Sequence, residues 1–221
     1  RLYGDLYNVT HKEAFDEICS ALHLGTTNQY EVRQQEKALP VSAVENADLA
    51  PLEVRNRTYS LLLSYMNLSE KHREDLKARG LTDEQIEVLG FKSTPLPFLC
   101  RSLTDRLIKQ GCTVQGVPGF YMDEDGRWTV KFHRRTSGIL IPAVGIDGLI
   151  RGAQILLDTP IKNKDDPPDK AGTKYIWLSS SNRNMGVTSG SPVHFIGNPC
   201  SRTIYITEGL LKADIAHMLM D

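Results

Sequence analysis

One carboxylate stands out as a candidate for chemistry, in the segment "IYITEGLLKADIA", residues 204–216. β-branched and aromatic residues at 204–207 predict a short strand, Glu208 and Gly209 follow it, and the next residues have the apolar spacing of a helix. Ligands of α/β sheets bind at the carboxyl ends of strands, and Mg²⁺ takes one or two carboxylates while keeping water and phosphate in its shell. Glu208 therefore suits a metal ligand. The alternative, which the local pattern alone favours, is an acid that stabilises the N-terminus of the following helix.

Basic side chains beside aromatic ones form a second candidate group. Lys174 opens the predicted strand "KYIWLSS" and Tyr175 follows it directly. A lysine next to aromatic rings suits the phosphate pairing and base stacking by which proteins bind single-stranded nucleic acid. Arg134 and Arg135 in "FHRRTSG" could hold a phosphate through bidentate hydrogen bonds. The alternatives are a strand whose aromatic residues fill the core and a solvated strand end.

Composition and missing motifs exclude several classes of protein. The net charge is −1, so no overall positive field indicates nucleic acid, and any such contact must come from a local patch. The four cysteines are widely spaced without a C-x-x-C pair, which favours reduced thiols and a cytoplasmic location. No apolar run of membrane-spanning length occurs. G-x-S-x-G, P-loop and H-E-x-x-H motifs are also missing, which removes the commonest hydrolase and NTPase classes.

Helical patterns dominate the first part of the chain. Residues 10–24 have apolar residues at helical spacing behind a Thr-x-x-Glu capping box. Further helices are predicted from Pro51, from Ser69 and from Thr82, the last with a second capping box. The final two form a helical hairpin divided by Gly80.

The character of the sequence changes after residue 91, where prolines and glycines become frequent and strands follow one more helix. A helix over 102–111 leads to one hairpin turning on "DEDG" and a second, "GILIPAVGIDGLIRGAQILLD", turning on "GIDG". Residues 159–172 have almost no apolar content, which predicts a mobile solvated loop, and the prolines there argue against a metal site among its aspartates. The strand "KYIWLSS" and the strand and helix around Glu208 complete an α+β fold.

The order of these segments resembles the catalytic core of a bacterial-type DNA primase. "DLKARGLTDEQIEVLGFKSTP" (75–95) is similar to a helical element of that family, and 138–158 is similar to its paired strands around a Pro-Ile sequence. "KYIWLSS" (174–180) resembles its Lys-Tyr-Leu-Asn-Ser segment, and 204–216 resembles the strand, Glu-Gly and helix that open the Toprim fold. Residues 3–25 resemble the helix that follows the primase zinc-binding module.

The resemblance implies a particular domain order. We expect a helical tail over 1–35, a helical hairpin region over 36–95, a mixed or antiparallel template-binding subdomain over 96–200 and the first strand and helix of a Toprim domain over 201–221. It also implies that the chain ends within the Toprim domain and that a zinc module precedes Arg1. The departures from the family pattern would fit a relative from a phage or mobile element.

The implied activity is template-directed RNA primer synthesis on single-stranded DNA from nucleoside triphosphates. Glu208 would match the Toprim glutamate that holds Mg²⁺ or Mn²⁺, and Lys174 would match the lysine of the template-facing ridge. Arg134 and Arg135 match the family's arginine-rich segment loosely, and Gln154 stands where the family has arginine. The Toprim aspartates would lie beyond this sequence, so we expect no priming activity from the chain alone.

Two other functions stay open at this stage. The chain could be a single-strand DNA-binding module without catalysis, because a fold does not determine a function. It could also be a domain that docks a partner such as a helicase through its helical hairpin and the "KYIWLSS" strand.

Overall fold

The structure of the protein is a computed structural model. It describes residues 46–162 and 171–220, together with the single positions 13, 16, 167 and 169. The chain divides into two compact units, Arg1–Ala43 and Val44–Asp221. In the first unit only positions 13 and 16 are described, and both are helical. The other residues of the predicted helix over 10–24 and of the tail over 1–35 lie outside the described residues.

Among the described residues of the second unit, five α-helices form where the caps and apolar spacing predict them. The Ser69 hydroxyl accepts the His72 backbone N–H at its helix start, and Thr82 and Gln85 satisfy each other's backbone N–H groups in a capping box. The helices are α1 (Leu52–Ser64), α2 (Glu70–Lys77), α3 (Asp83–Leu89), α4 (Cys100–Lys109) and α5 (Leu210–Met220). None of these described helices combines the length and the apolar character that crossing a membrane requires.

The part of the chain that the structure describes has six strands in two antiparallel sheets. The strands are β1 (Lys92–Ser93), β2 (Phe120–Met122), β3 (Trp128–Val130), β4 (Gly138–Val144), β5 (Ile150–Ile161) and β6 (Thr173–Trp177). The main sheet has the order β1-β4-β5-β6, and β2 and β3 form a separate hairpin. Both predicted hairpins and the α+β fold class are therefore confirmed.

Proline lies inside the long strand β4 without breaking the sheet. The backbone of Gly138 faces β1, because its carbonyl accepts the Thr94 N–H and its own N–H donates to the Thr94 hydroxyl. Pro142, four residues on, therefore faces the same side, where β1 pairs only with Ile139 and Leu140. The missing N–H of Pro142 removes no ladder hydrogen bond, which explains why the strand tolerates it.

The main sheet separates two apolar clusters, so the second unit has three layers. Alternate residues of the strands face opposite sides. Leu140 and Ile155 pack with α1, α4 and the β2–β3 hairpin, and Leu62 of α1 is completely buried there. Ile139 and Ile141 pack with α2, α3 and α5 on the other side. Each leucine or isoleucine buried in this way stabilises the fold by about 1.5–3 kcal/mol.

Two predictions about irregular segments are wrong. The predicted strand over 204–207 is irregular, and Ile204, Tyr205 and Ile206 are 70%, 73% and 74% exposed, because no strand among the described residues pairs with them. The loop predicted from residue 159 begins later, since β5 continues to Ile161 and pairs with Thr173. Ladder hydrogen bonds join backbone groups, so polar residues can extend a strand that an apolar pattern would end. Residues 163–166, 168 and 170 of that loop lie outside the described residues.

Candidate nucleic-acid interface

Three of the predicted site residues line one small cavity between the main sheet and the start of α5. Gln154 pairs with Trp177 and Leu156 pairs with Tyr175, so Gln154 and Tyr175 lie on one face of the sheet, two positions apart. Glu208 reaches the same cavity from the turn that precedes α5. The cavity volume is about 110 Å³. The other lining residues are Gly209, Leu211 and Lys212.

The Gln154 side chain brings an unsatisfied hydrogen-bond acceptor to this cavity. Its Oε1 atom is buried and has no hydrogen-bond partner among the described residues. A buried acceptor without a partner costs about 1–3 kcal/mol. A donor group of a bound molecule could satisfy this oxygen, for example an N–H or O–H of a nucleotide.

Glu208 is exposed, and its carboxylate is paired with the ammonium group of Lys212 one turn along the chain. The hydrogen bond and the positive charge of Lys212 lower the pKa of Glu208, and the same contact raises the pKa of Lys212. Among the described residues, no group of three His, Cys, Asp or Glu side chains is arranged to hold a metal ion. These residues therefore do not complete a Mg²⁺ or Mn²⁺ site, and the role of Glu208 as a metal ligand stays a prediction.

The three predicted basic residues lie at one end of the main sheet and are not among the residues that line the cavity. Arg134 and Arg135 are exposed in a short 3-10 turn, Arg134–Thr136, that precedes β4. Lys174 is exposed near the start of β6, on the opposite face of the strand from Tyr175. β4 begins where Gly138 pairs with Leu157, three positions along β5 from Gln154. That spacing separates the start of β4 from Gln154 by about 10 Å, whereas Lys174 is next in the chain to Tyr175, which lines the cavity.

A larger groove, which the sequence patterns did not identify, lies beside the cavity. Its volume is about 410 Å³, and it runs between α2 and the sheet, where Leu156, the partner of Tyr175, forms part of its floor. Lys71 and Arg79 bring positive charge to it, and Asp75 brings negative charge. These three residues are four positions apart, which is the spacing of one helix face. This spacing is the sequence signal that could have predicted a charged face here.

A Ser-His-Asp network closes one wall of that groove. His72 Nδ1 lies 2.7 Å from Ser93 Oγ, and His72 Nε2 lies 2.7 Å from Asp158 Oδ1. Ser93 Oγ also accepts the backbone N–H of Ser69 at the start of α2. A carboxylate can only accept, so Nε2 carries the proton. The network ties α2 to β1 and β5, and its members lie too far apart in sequence for a motif to reveal it.

The environment of Asp158 lowers the pKa of its carboxyl group. Partial burial acts in the raising direction, but hydrogen bonds from His72 and Ser137 and the positive charge of Lys71 outweigh it. The ionised form of Asp158 therefore stabilises this end of the sheet.

A second histidine–aspartate pair holds α5 on the sheet. His194 Nδ1 accepts the backbone N–H of Val144 at 3.0 Å, so the proton lies on Nε2, which donates to Asp214 Oδ1 at 2.7 Å. The two side chains are 7% and 3% exposed. This pair fixes the helix that follows Glu208 and thereby the wall of the small cavity.

No protein-family model matches the chain, and no curated protein sequence matches it. Similar solved structures are primase domains. One is the RNA polymerase domain of the Mycobacterium tuberculosis primase DnaG in complex with a double-stranded DNA oligomer with a 6-nucleotide overhang. It is 16% identical with a TM-score of 0.42, and the match covers 60% of this chain and 40% of that chain.

Two further matches have similar values. The zinc-binding and RNA polymerase domains of the Aquifex aeolicus primase are 14% identical with a TM-score of 0.42, over 82% of this chain and 38% of that chain. The DnaG primase catalytic domain bound to ssDNA is 17% identical with a TM-score of 0.33, over 60% and 42%. The chain thus spans about two fifths of the length of these structures. Identities and TM-scores at this level do not establish a shared family or activity.

Proposed function

We propose that the chain binds single-stranded DNA at the end of the main sheet that carries Arg134, Arg135 and Lys174. One observation carries the proposal. The three cations are exposed at the same end of one sheet, and among the described residues none of them forms an ion pair. Cations without acidic partners are available to phosphate groups, whereas a structural role would be expected to pair them.

The geometry suits a strand of nucleic acid better than a single small anion. Arg134 and Arg135 precede β4 and Lys174 is the second residue of β6, with β5 between them, so the two positions are separated by about 10 Å across the sheet. That span exceeds one phosphate group. Tyr175 and Gln154 at the nearby cavity would take a base, since base–aromatic stacking contributes about 1–3 kcal/mol and the Gln154 oxygen needs a donor.

The wider role that we propose is that of a primase-like protein, in which such a strand is the template for RNA primer synthesis. Sequence resemblance around residues 75–95, 138–158 and 174–180 supports this role. Glu208 would contribute one oxygen ligand to Mg²⁺ or Mn²⁺, and nucleoside triphosphates and a helicase would be partners of the whole protein. We expect no primer synthesis from this chain alone, because Glu208 is the only carboxylate among the described residues that line the cavity.

The second candidate is a single-strand DNA-binding module without catalysis. The contact between Glu208 and Lys212 favours it, because a lysine that neutralises the carboxylate competes with a metal ion. One measurement, an NMR titration with Mg²⁺, distinguishes the two candidates. Mg²⁺ should shift the amide resonances of Glu208 and Gly209 at millimolar concentration if the carboxylate binds metal, and should leave them unchanged otherwise.

The test of DNA binding is fluorescence anisotropy of a labelled single-stranded oligonucleotide. Each exposed cation–phosphate contact is worth about 0.5–1 kcal/mol, so the Arg134→Ala, Arg135→Ala, Lys174→Ala variant should bind about 10- to 100-fold more weakly. The control variant removes three other exposed cations, at Arg57, Lys109 and Arg202. Equal affinities of the two triple variants would contradict the proposed binding face.

A further inference from the structure

A second cationic cluster lies on the hairpin layer, beyond the residues that the sequence analysis singled out. We define it by Tyr121 of β2, Lys131 directly after β3, and Asn182 and Arg183 in the loop that follows β6. Lys131 Nζ donates to Asn182 Oδ1 at 2.6 Å, and the Arg183 guanidinium lies over the Tyr121 ring, 5.5 Å from its centroid. Both cations therefore have a defined position.

The loop that carries Arg183 is held in one conformation. The Ser180 hydroxyl donates to the Phe120 carbonyl at 2.7 Å, and the Met122 N–H donates to the Asn184 carbonyl at 2.9 Å. A side chain at Gly186 would place its Cβ 1.9 Å from the Ser180 carbonyl oxygen, so the backbone there is closely packed. The fold therefore fixes the loop against β2, with Arg183 directly after Asn182, the hydrogen-bond partner of Lys131.

This fixed arrangement places two like charges together without a compensating acid. Partial burial and the nearby charge of Arg183 lower the pKa of Lys131. Among the described residues, no carboxylate forms an ion pair with Lys131 or Arg183, although carboxylates pair with basic groups elsewhere on the same hairpin, as Asp123 does with Arg101. An anion held between the two cations would relieve their repulsion.

The cluster continues the basic surface of the proposed binding face. Lys131 precedes Arg134 by three residues, and His133 between them is extended, so their backbones are at most about 10 Å apart. We propose that Lys131 and Arg183 form an additional phosphate subsite for the same single-stranded nucleic acid, with Tyr121 orienting Arg183. This inference rests on the proposed function and extends its binding face from the end of the main sheet to the β2–β3 hairpin.

The test is the salt dependence of oligonucleotide binding. For single strands, each phosphate contact contributes about 0.7 to the slope of log K against log salt. The Lys131→Gln, Arg183→Gln variant should therefore flatten the slope of a 20-nucleotide strand by about 1.4. Arg183→Gln alone should flatten this slope by about 0.7. Because Arg183 is exposed, this single variant replaces the double variant in the test if the double variant is unstable. The charge-matched control is Arg57→Gln with Lys109→Gln, which should leave the slope unchanged.

The outcomes separate this subsite from the proposed function. An unchanged slope in both Lys131/Arg183 variants, while the Arg134, Arg135, Lys174 variant loses affinity, would contradict the subsite alone. A flattened slope in the Lys131/Arg183 variants, with no loss of affinity in the Arg134, Arg135, Lys174 variant, would support the subsite and contradict the proposed face. If the wild-type chain binds no single strand, both are wrong.

Discussion

The hydrogen-bonded pair of His194 and Asp214 leads to a prediction about stability, because it attaches α5 to the main sheet. His194→Ala removes the donor to the Asp214 carboxylate and the acceptor for the Val144 N–H in one step. The carboxylate is 3% exposed, so His194→Ala leaves it in a buried place without its donor. The substitution therefore leaves a buried charge and a buried N–H without partners.

The size of the effect follows from that burial. Removing one partner of a buried pair costs about 3–5 kcal/mol, because the remaining charge stays in a poorly solvated place. Asp214→Asn keeps an oxygen that accepts the Nε2–H and loses only the charge assistance, which costs about 1 kcal/mol. Adding Asp214→Leu to His194→Ala should recover part of the loss, since no buried charge is then left.

Urea unfolding of these variants measures the effect directly. Trp177 packs in the same apolar cluster as Leu211 of α5, whereas Trp128 lies in the cluster on the other side of the sheet. In a Trp128→Phe background, the fluorescence of Trp177 therefore reports on the α5 side. We expect the free energy of unfolding to fall by about 3–5 kcal/mol for His194→Ala. A loss below about 1 kcal/mol, or an equal loss in Asp214→Asn, would refute the reasoning.

Three further predictions concern the fold and its dependence on pH. Thr82→Ala removes the capping-box acceptor of α3 and should cost about 0.5–2 kcal/mol in urea unfolding, whereas Thr82→Ser should cost little. Gly138→Ala would place a Cβ 1.9 Å from the Leu156 carbonyl oxygen, so a loss of about 1–3 kcal/mol is expected, and an unchanged melting temperature would show that β4 can shift. Because the folded state lowers the pKa of Asp158, its contribution is present above the unfolded value near pH 4 and is lost as the pH falls below it. The free energy of unfolding of Asp158→Asn should therefore depend less on pH between about 2 and 4 than that of the wild type. Equal pH dependence of the two unfolding free energies would contradict this role.

The parts of the fold that local chemistry determines were predictable. Helices begin directly after Ser69 and Thr82 because hydroxyl caps act over three residues, a distance that a sequence pattern displays. The prediction of a strand over 204–207 was wrong because a strand needs a pairing partner elsewhere in the chain. The β-branched and aromatic residues of this segment do not indicate whether such a partner exists. The extension of β5 to Ile161 was missed for the related reason that backbone pairing with β6 does not need apolar side chains.

The candidate site likewise has residues that the sequence predicts and contacts that only the packed structure reveals. Glu208, Tyr175 and Gln154 came from segments resembling a known family, and the fold brings these three to one cavity. The pair of His194 and Asp214 joins positions twenty residues apart through the end of β4. No local pattern encodes such a contact, because it arises only when the helix packs on the sheet.

The location of bound single-stranded DNA is the most direct test of the account. A strand containing 5-bromouracil, cross-linked by ultraviolet light to the 221-residue chain, allows the contacted peptides to be identified by mass spectrometry. We predict cross-links in the peptides that carry Arg134, Arg135 and Lys174, and their loss when these three residues are replaced by alanine. Cross-links confined to peptides that carry none of these three residues would contradict the proposed binding face.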